Sequence, residues 1–372
     1  MKRVLSISLL MATLFGANAQ KDTAAHVATP PPIAITGSVD AYYRYNFSGA
    51  TNNYTSFTNS QNSFELGMAS IRGDHSFGKG GVTVDLGFGR RAAEYSYNDT
   101  ANKNNLFALK QVYVTYQAGS KVKFTLGKWG THIGYEVLDA YSNRNYSMDY
   151  MFSFGPFFHT GLKADIALDS SWSLMLGVAN PTDFSSTTSA TKVAIAQLGY
   201  TTKDAKWKGY LNYQGYYGVA TPYLLSSVTG YGLNKNLSQI DLVVNGTLNS
   251  KWGIGYNGTW QGINDGNAKS WWGSAVYLNF DPKTTLGFTL RGEYISDKDG
   301  IKFNPAAFNT VTVVGADVYD LTLSTVWKID NCLTIIPEIR YDNASKEGIF
   351  WKSGDVATQN TFSGLIAAVY KF

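Results

Sequence analysis

The chain has 372 residues, and its 31 Lys+Arg against 27 Asp+Glu leave a formal charge of +4, too small for this length to point to nucleic acid as a partner. Charged residues make up only 16%, against roughly 25% in ordinary soluble domains, while 15% are aromatic and 37 are glycine. One cysteine, Cys332, excludes an intrachain disulfide and any Cys-based metal cluster.

The chain opens like a secretory leader. Lys2 and Arg3 precede an apolar stretch from Val4 to Gly16, and Ala17-Asn18-Ala19 supplies a small-x-small cleavage site. That stretch is too short to span a bilayer as a helix. Residues 1–19 are therefore expected to be removed. Residues 20–32, ending in Pro30-Pro31-Pro32, read as a polar periplasmic tail. Beyond them no run approaches 18 apolar residues, so hydrophobicity is spread over alternate positions.

Period-2 segments follow at 33–47, 62–77, 81–96, 105–118, 121–130, 157–169, 171–181, 191–202, 205–218, 236–249, 251–262, 269–281, 283–296, 314–329, 332–343 and 359–372. Phe158, Leu162, Ile166 and Leu168 oppose His159, Lys163 and Asp165; Leu286, Phe288 and Leu290 oppose Arg291 and Glu293; Leu333, Ile335, Ile339 and Tyr341 oppose Glu338, Arg340 and Asp342. Repeated around sixteen strands, this predicts an all-β, antiparallel up-and-down transmembrane barrel over 33–372. The connections alternate: Gly119-Ser120, Asp169-Ser170, Lys203-Asp204, Asn249-Ser250 and Asp330-Asn331 are short turns. Segments 48–61, 131–156, 219–235, 297–313 and 344–358 are long. Short periplasmic turns and long external loops are the barrel pattern, which puts both termini on the periplasmic side.

Aromatics fall where interface girdles belong. Trp172, Trp207, Trp252 and Phe372 lie beside short turns, and Tyr43, Tyr45, Trp260, Tyr294 and Tyr341 lie toward long loops. The last strand alternates to the terminal Phe372, as a closing strand handed to the barrel-assembly machinery would.

Sixteen strands leave an aqueous lumen, whereas eight are filled by their own side chains. The longest loop, 131–156, the third external one, carries His132, Glu136, Asp139, Arg144 and Asp149 among Tyr135, Tyr141, Tyr146, Tyr150 and Phe152. By likeness to general porins, it is expected to fold inward as a constriction. The wall would add Asp40, Arg44, Arg91, Lys163, Asp165, Arg291, Glu293, Glu338, Arg340 and Asp342, setting ion preference across a narrow pore. Cross-strand pairing, such as Arg291 with Glu338 or Arg340 with Glu293, would give the same sequence.

The run from Asn145-Tyr146-Ser147 through Phe152-Ser153-Phe154-Gly155-Pro156-Phe157-Phe158-His159-Thr160-Gly161, with Gly127-Lys128-Trp129 before it and Ala179-Asn180-Pro181 after it, resembles the β-barrel porin-2 (OmpL-like) family of Gram-negative outer-membrane proteins. The resemblance implies an outer-membrane barrel and a porin, with no known solute and no catalytic motif.

Other signals are set aside. Gly87-Phe88-Gly89 has the start of a dinucleotide fingerprint but sits in an alternating strand with no helix expected after it. Asp297-Lys298-Asp299-Gly300 falls short of a calcium-ligand set. The histidines lack metal-ligand spacing, and no Ser/His pair is singled out for lipid hydrolysis, so neither an enzyme nor a cofactor is expected. The reading is an outer-membrane channel for passive diffusion of small hydrophilic solutes, surrounded by lipid and plausible as a homotrimer through the Gly- and Ala-rich seventh and eighth strands. The alternatives are a selective channel, for oligosaccharides for example, with Tyr210, Tyr216, Trp271 and Tyr277 as an inward aromatic slide, and a nonporous structural or adhesion barrel.

Overall fold

The computed structural model describes residues 30–51, 54–101, 105–188, 191–218, 236–264, 266–303 and 315–372. The expected leader and most of the tail lie outside the described residues, as does the loop 219–235. Sixteen strands close a barrel in which each pairs antiparallel with its neighbours. They are β1 (Ala34–Asn46), β2 (Ser63–Phe77), β3 (Gly80–Phe88), β4 (Leu109–Ala118), β5 (Val122–Gly130), β6 (Phe158–Ala167), β7 (Trp172–Ala179), β8 (Val193–Thr201), β9 (Trp207–Tyr217), β10 (Asn236–Thr247), β11 (Trp252–Asn264), β12 (Ala268–Lys283), β13 (Leu286–Asp297), β14 (Ala316–Lys328), β15 (Leu333–Ala344) and β18 (Asn360–Lys371). Between the last two, β16 (Phe350–Lys352) and β17 (Val356–Thr358) form a small hairpin inside the long connection. Among the described residues no helix is long and apolar enough to cross a membrane.

Closure follows from the ends of the chain. β1 pairs with β18 from Ser38↔Lys371 to Asn46↔Ser363. The terminal Phe372 exchanges two backbone hydrogen bonds of 3.0 Å with Gly37, so the seam is laddered to the final residue and no edge is left there. The alternation read from sequence separates two surfaces. Leu211, Leu242, Leu290, Leu323 and Ile339 are exposed outward, whereas Asn212, Asp241, Arg291, Thr322 and Arg340 on the same strands are buried inward. At the short-turn end, Trp172 stacks near Tyr200 and Trp252 near Phe280, with ring centroids 4.6 and 4.5 Å apart.

Five expectations need correction. The third strand, expected to run to 96, stops at Phe88 because Gly89 takes φ of +113°, and the chain turns into a short helix, Arg90–Tyr95. A helix therefore does follow the Gly87-Phe88-Gly89 motif, and Arg91 belongs to a long loop rather than to the wall. The fourth strand begins at Leu109, after a single 3₁₀ turn, and not at 105. Phe158, expected on the lipid face with Leu162, is covered by Tyr95 of the second long loop, 89–108, with ring centroids 5.4 Å apart.

Candidate functional site

The chain between β5 and β6 leaves the wall at Thr131 and returns at Phe157, where Thr131 N donates to Phe157 O at 2.9 Å. In between it meets inner-face side chains of β1 and of β10 to β15. A chain that leaves a sheet and is buried must find partners for every backbone N–H and C=O. Here the wall supplies them mostly as charged groups. Glu338 accepts from Tyr146 N at 2.8 Å and Ser147 N at 3.2 Å. Glu293 accepts from Tyr150 N at 2.7 Å and Met151 N at 2.8 Å. Asp241 takes Gly134 N at 3.0 Å and Asn257 takes Tyr135 N at 3.3 Å. The loop's own acids complete the set: Glu136 accepts Asp149 N, and Asp149 caps the short helix Tyr150–Phe154 by accepting Phe152 N at 2.6 Å.

The carbonyls are met by guanidinium groups. Arg291 donates to Ser147 O and Arg340 to Met148 O, at 2.8 and 2.7 Å. Arg91, from the second long loop, donates to Leu138 O at 3.1 Å and lies over the rings of Phe57 and Tyr146. Loop side chains reach the wall in turn. Tyr146 donates to Asp40, Tyr150 to Asp342 and Asn145 to Ser324, while Arg144 forks onto Asp281 and also donates to Thr289. Hydrogen bonds carrying a formal charge are roughly twice as strong as neutral ones, so this segment is seated along its length.

Beneath the loop runs one chain of ion pairs. Arg291 bonds Glu136 at 2.8 Å and Asp320 at 3.2 Å; Arg340 bonds the same Asp320 at 3.2 Å and Asp342 at 2.7 Å. The cross-strand partners anticipated from sequence, Arg291 with Glu338 and Arg340 with Glu293, are not those that form. Thr322 lies opposite both arginines in register, so the neighbour shared diagonally is Asp320, two residues away on the same face. Sequence reading did not single out Asp320; the inward parity of β14 was the signal available. Lys110 was missed as well. It pairs with Asp85 at 3.1 Å and with the loop's Asp139 at 2.6 Å, after a register shift in β4 that no spacing announces.

Burial sorts the expected residues into two groups. Arg44, Arg91, Glu136, Asp149, Arg291, Glu293, Glu338, Arg340 and Asp342 are each at most 4% exposed. Burial and the neighbouring Asp149 push Glu136 up to about 8, against the pull of Arg291. Burial raises Asp149 too. The phenol of Tyr277 sits between them, donating to Asp149 at 2.7 Å. His132 is half-buried with its Nε2 3.1 Å from Tyr213 O, and desolvation lowers it to about 4, so its ring is neutral. Its neighbour His159 pairs with Thr131 Oγ1. The second group keeps contact with water. Lys163 pairs with Asp165 at 3.2 Å on β6, and Arg144 with Asp281, their side chains 20–46% exposed. A cavity of about 160 Å³ opens between Tyr135, Asn143, Arg144, Asn245 and Asn279.

The inward aromatics Tyr216, Trp271 and Tyr277 are packed in a buried cluster with Trp129, Met151 and Phe154, not along an open path. Among the described residues no group of three His, Cys, Asp or Glu is set to hold a metal. Asp297 spends both oxygens on the amides of Ile301, Lys302 and Phe303.

Comparison with known proteins agrees with this architecture. The chain is similar in fold to the outer membrane channel DcaP of Acinetobacter baumannii, at 11% identity over 91% of this chain and 97% of that one, with a TM-score of 0.59. An anion-selective porin from Comamonas acidovorans matches at 10% identity over 92% and 99%, TM-score 0.59. A trimer form of the outer membrane protein OmpT of Vibrio cholerae matches at 11% over 92% and 99%, TM-score 0.55. Comparison with curated proteins finds no match. A family described as "Putative beta-barrel porin-2, OmpL-like" matches residues 32–372, which includes every strand of the barrel. The chain belongs to that β-barrel porin-2 family and is an outer-membrane porin.

Proposed function

We propose that the loop 131–156 is the constriction of this channel, and that small hydrophilic solutes diffuse passively through the part of the lumen it leaves open. The observation that carries the reading is the seating of the loop: its amides at 146, 147, 150 and 151 lie on Glu338 and Glu293, on the wall opposite its point of departure. A porin loop merely resting at the rim would have no use for two buried carboxylates on β13 and β15. The short-turn end is periplasmic in this reading, with both termini there, and Phe372 is the residue presented to the assembly machinery. The outer apolar face meets lipid. Association into a trimer is supported by the trimer form of the Vibrio cholerae relative in fold. No catalytic step is assigned, since the buried acids and histidines are engaged in holding the loop.

Single-channel recording of the refolded barrel in a planar bilayer tests this. Stepwise ohmic openings are expected, with a larger step after deletion of residues 136–150. Silent insertion of a verifiably folded barrel would move the assignment to a nonporous structural role. An unchanged step in the deletion variant would put the constriction elsewhere.

A further inference from the structure

We infer that this channel prefers anions, and that lysines on the short-turn half of the inner wall set the preference. The inference rests on the porin reading. It departs from the sequence expectation, which gave ion selection to Lys163 and Asp165 together with a larger set of arginines and carboxylates, most of which the loop covers.

Ion preference is set by the inner charges that a permeating ion can approach. Strand parity places Lys123 on the face of buried Thr125, Lys208 on that of Asn212 and Gln214, Lys328 on that of Thr322 and Ser324, and Lys371 on that of Ala367 and Val369. All four are exposed, and each lies close to a short turn. The Lys371 ammonium is 5.9 Å from the ring of Tyr141, which belongs to the constricting loop, so it faces the lumen and not the lipid. Lys163 on β6 shares the inner face with Lys123, the ladder setting Lys163 opposite Thr125 and Lys123 opposite Asp165.

Accessible carboxylates in the strands on this half of the wall are already matched, and the turn acids Asp169 and Asp330 are held by backbone amides. Asp74 is bonded by Arg72 at 2.6 Å, Asp165 by Lys163 at 3.2 Å with Lys123 at 3.8 Å, and Asp281 by Arg144 at 2.6 Å. Among the described residues, Lys208, Lys328 and Lys371 have no carboxylate at ion-pair distance. Uncompensated cations therefore dominate the open half. The acids that would oppose them lie under the loop, where Glu293 and Glu338 are each bound by two backbone amides and Asp320 by two guanidinium groups.

Distance completes the case. Exposed charges are largely screened beyond a Debye length of about 8 Å at physiological salt, so an ion in the lumen feels the lysines whose side chains reach into it more than carboxylates already paired behind a protein layer. A lumen with low-dielectric walls focuses such a field and raises the local concentration of the opposite sign. The class of solute favoured is the small anion, inorganic or carboxylate- and phosphate-bearing.

The test is the reversal potential of the refolded, full-length barrel across a potassium chloride gradient. Its sign is expected to be that of chloride. Replacing Lys123, Lys163 and Lys208 together by Glu should lower the chloride-to-potassium permeability ratio by about twofold or more and move it toward cations. Lys203→Glu, in an exposed turn, should leave the ratio near its starting value. Lys208→Glu alone carries the same test with less charge disturbed and should shift the ratio in the same direction. An open channel that is unselective or cation-selective overturns the inference, and so does an unchanged ratio in the lysine variants. A folded barrel with no conductance overturns the porin reading instead.

Discussion

Arg291 is the residue on which the loop's attachment converges. It is fully buried, pairs with Glu136 and Asp320, and donates to the carbonyl of Ser147. Removing one partner from a buried ionic group typically costs about 3–5 kcal/mol, because the charges left behind remain desolvated. Arg291→Met should therefore lower barrel stability by roughly that amount and open the loop to protease between 136 and 150. Urea unfolding and limited proteolysis of detergent-solubilised barrel measure the two effects, and a protected loop in this variant would mean that it is held from elsewhere. The inward direction of Arg291 was legible from its alternation with Leu290, and so was that of Arg340, Glu293 and Glu338. Their partners were not legible. A charged residue facing a lumen gives the same pattern whether it meets water, a neighbouring strand or a loop backbone, and the choice was made by the register that brings Asp320 between two arginines. Arg91 was misread for a different reason: alternation continues in letters past Phe88, while the backbone breaks at Gly89.

At the scale of elements, the loop and the wall are shaped to each other. Gly255 on β11 leaves room for the ring of Tyr135, which would lie 2.6 Å from a Cβ at that position, and Gly273 on β12 does the same for Met151. Tyr135 then stacks on Tyr277, centroids 4.1 Å apart and planes 21° from parallel. A side chain at 255 must therefore lift Tyr135 off its partner. Gly255→Val should cost about 0.5–1.5 kcal/mol through the lost ring pair and reduce the near-ultraviolet circular dichroism of the tyrosines. In a Tyr135→Leu background the same substitution should have little further effect; an equal loss in both backgrounds would place its cost in the strand and not in the seat. Apart from the third and fourth, the strands were readable to within a few residues because lipid outside and polar partners inside enforce period 2 on them. The loop's path was not readable in this way, because glycines that admit a ring on the inner face look like any other glycine in a strand.

At the scale of the whole molecule, the barrel ties its long loops into one body, and Asp183 is a knot among three of them. Lying between β7 and β8, it accepts the amides of Phe157 and Phe158, where the third loop re-enters the wall, and the phenol of Tyr97 from the second loop. The first loop joins through Phe57 N, bonded to Glu94, and through Ser56 N, bonded to Ser153. Burial raises Asp183 to about 6, more than its hydrogen bonds lower it. The folded state thus holds this proton at pH values where the unfolded chain, with an ordinary carboxyl, has released it. With more protons bound in the folded state, stability falls as pH rises, and for Asp183 the fall spans the interval from about 4 to about 6. The two-unit difference corresponds to about 3 kcal/mol at most. Asp183→Asn keeps an oxygen for the two amides and cannot ionise. Urea midpoints at pH 4.5 and pH 7 should therefore differ less in this variant than in the parent, with most of the difference arising from a higher midpoint at pH 7. Comparing the two proteins removes the contributions that other groups such as Glu136 make equally to both. A pH difference identical in parent and variant would mean that Asp183 is ionised in the fold throughout, and that its amide partners outweigh its burial.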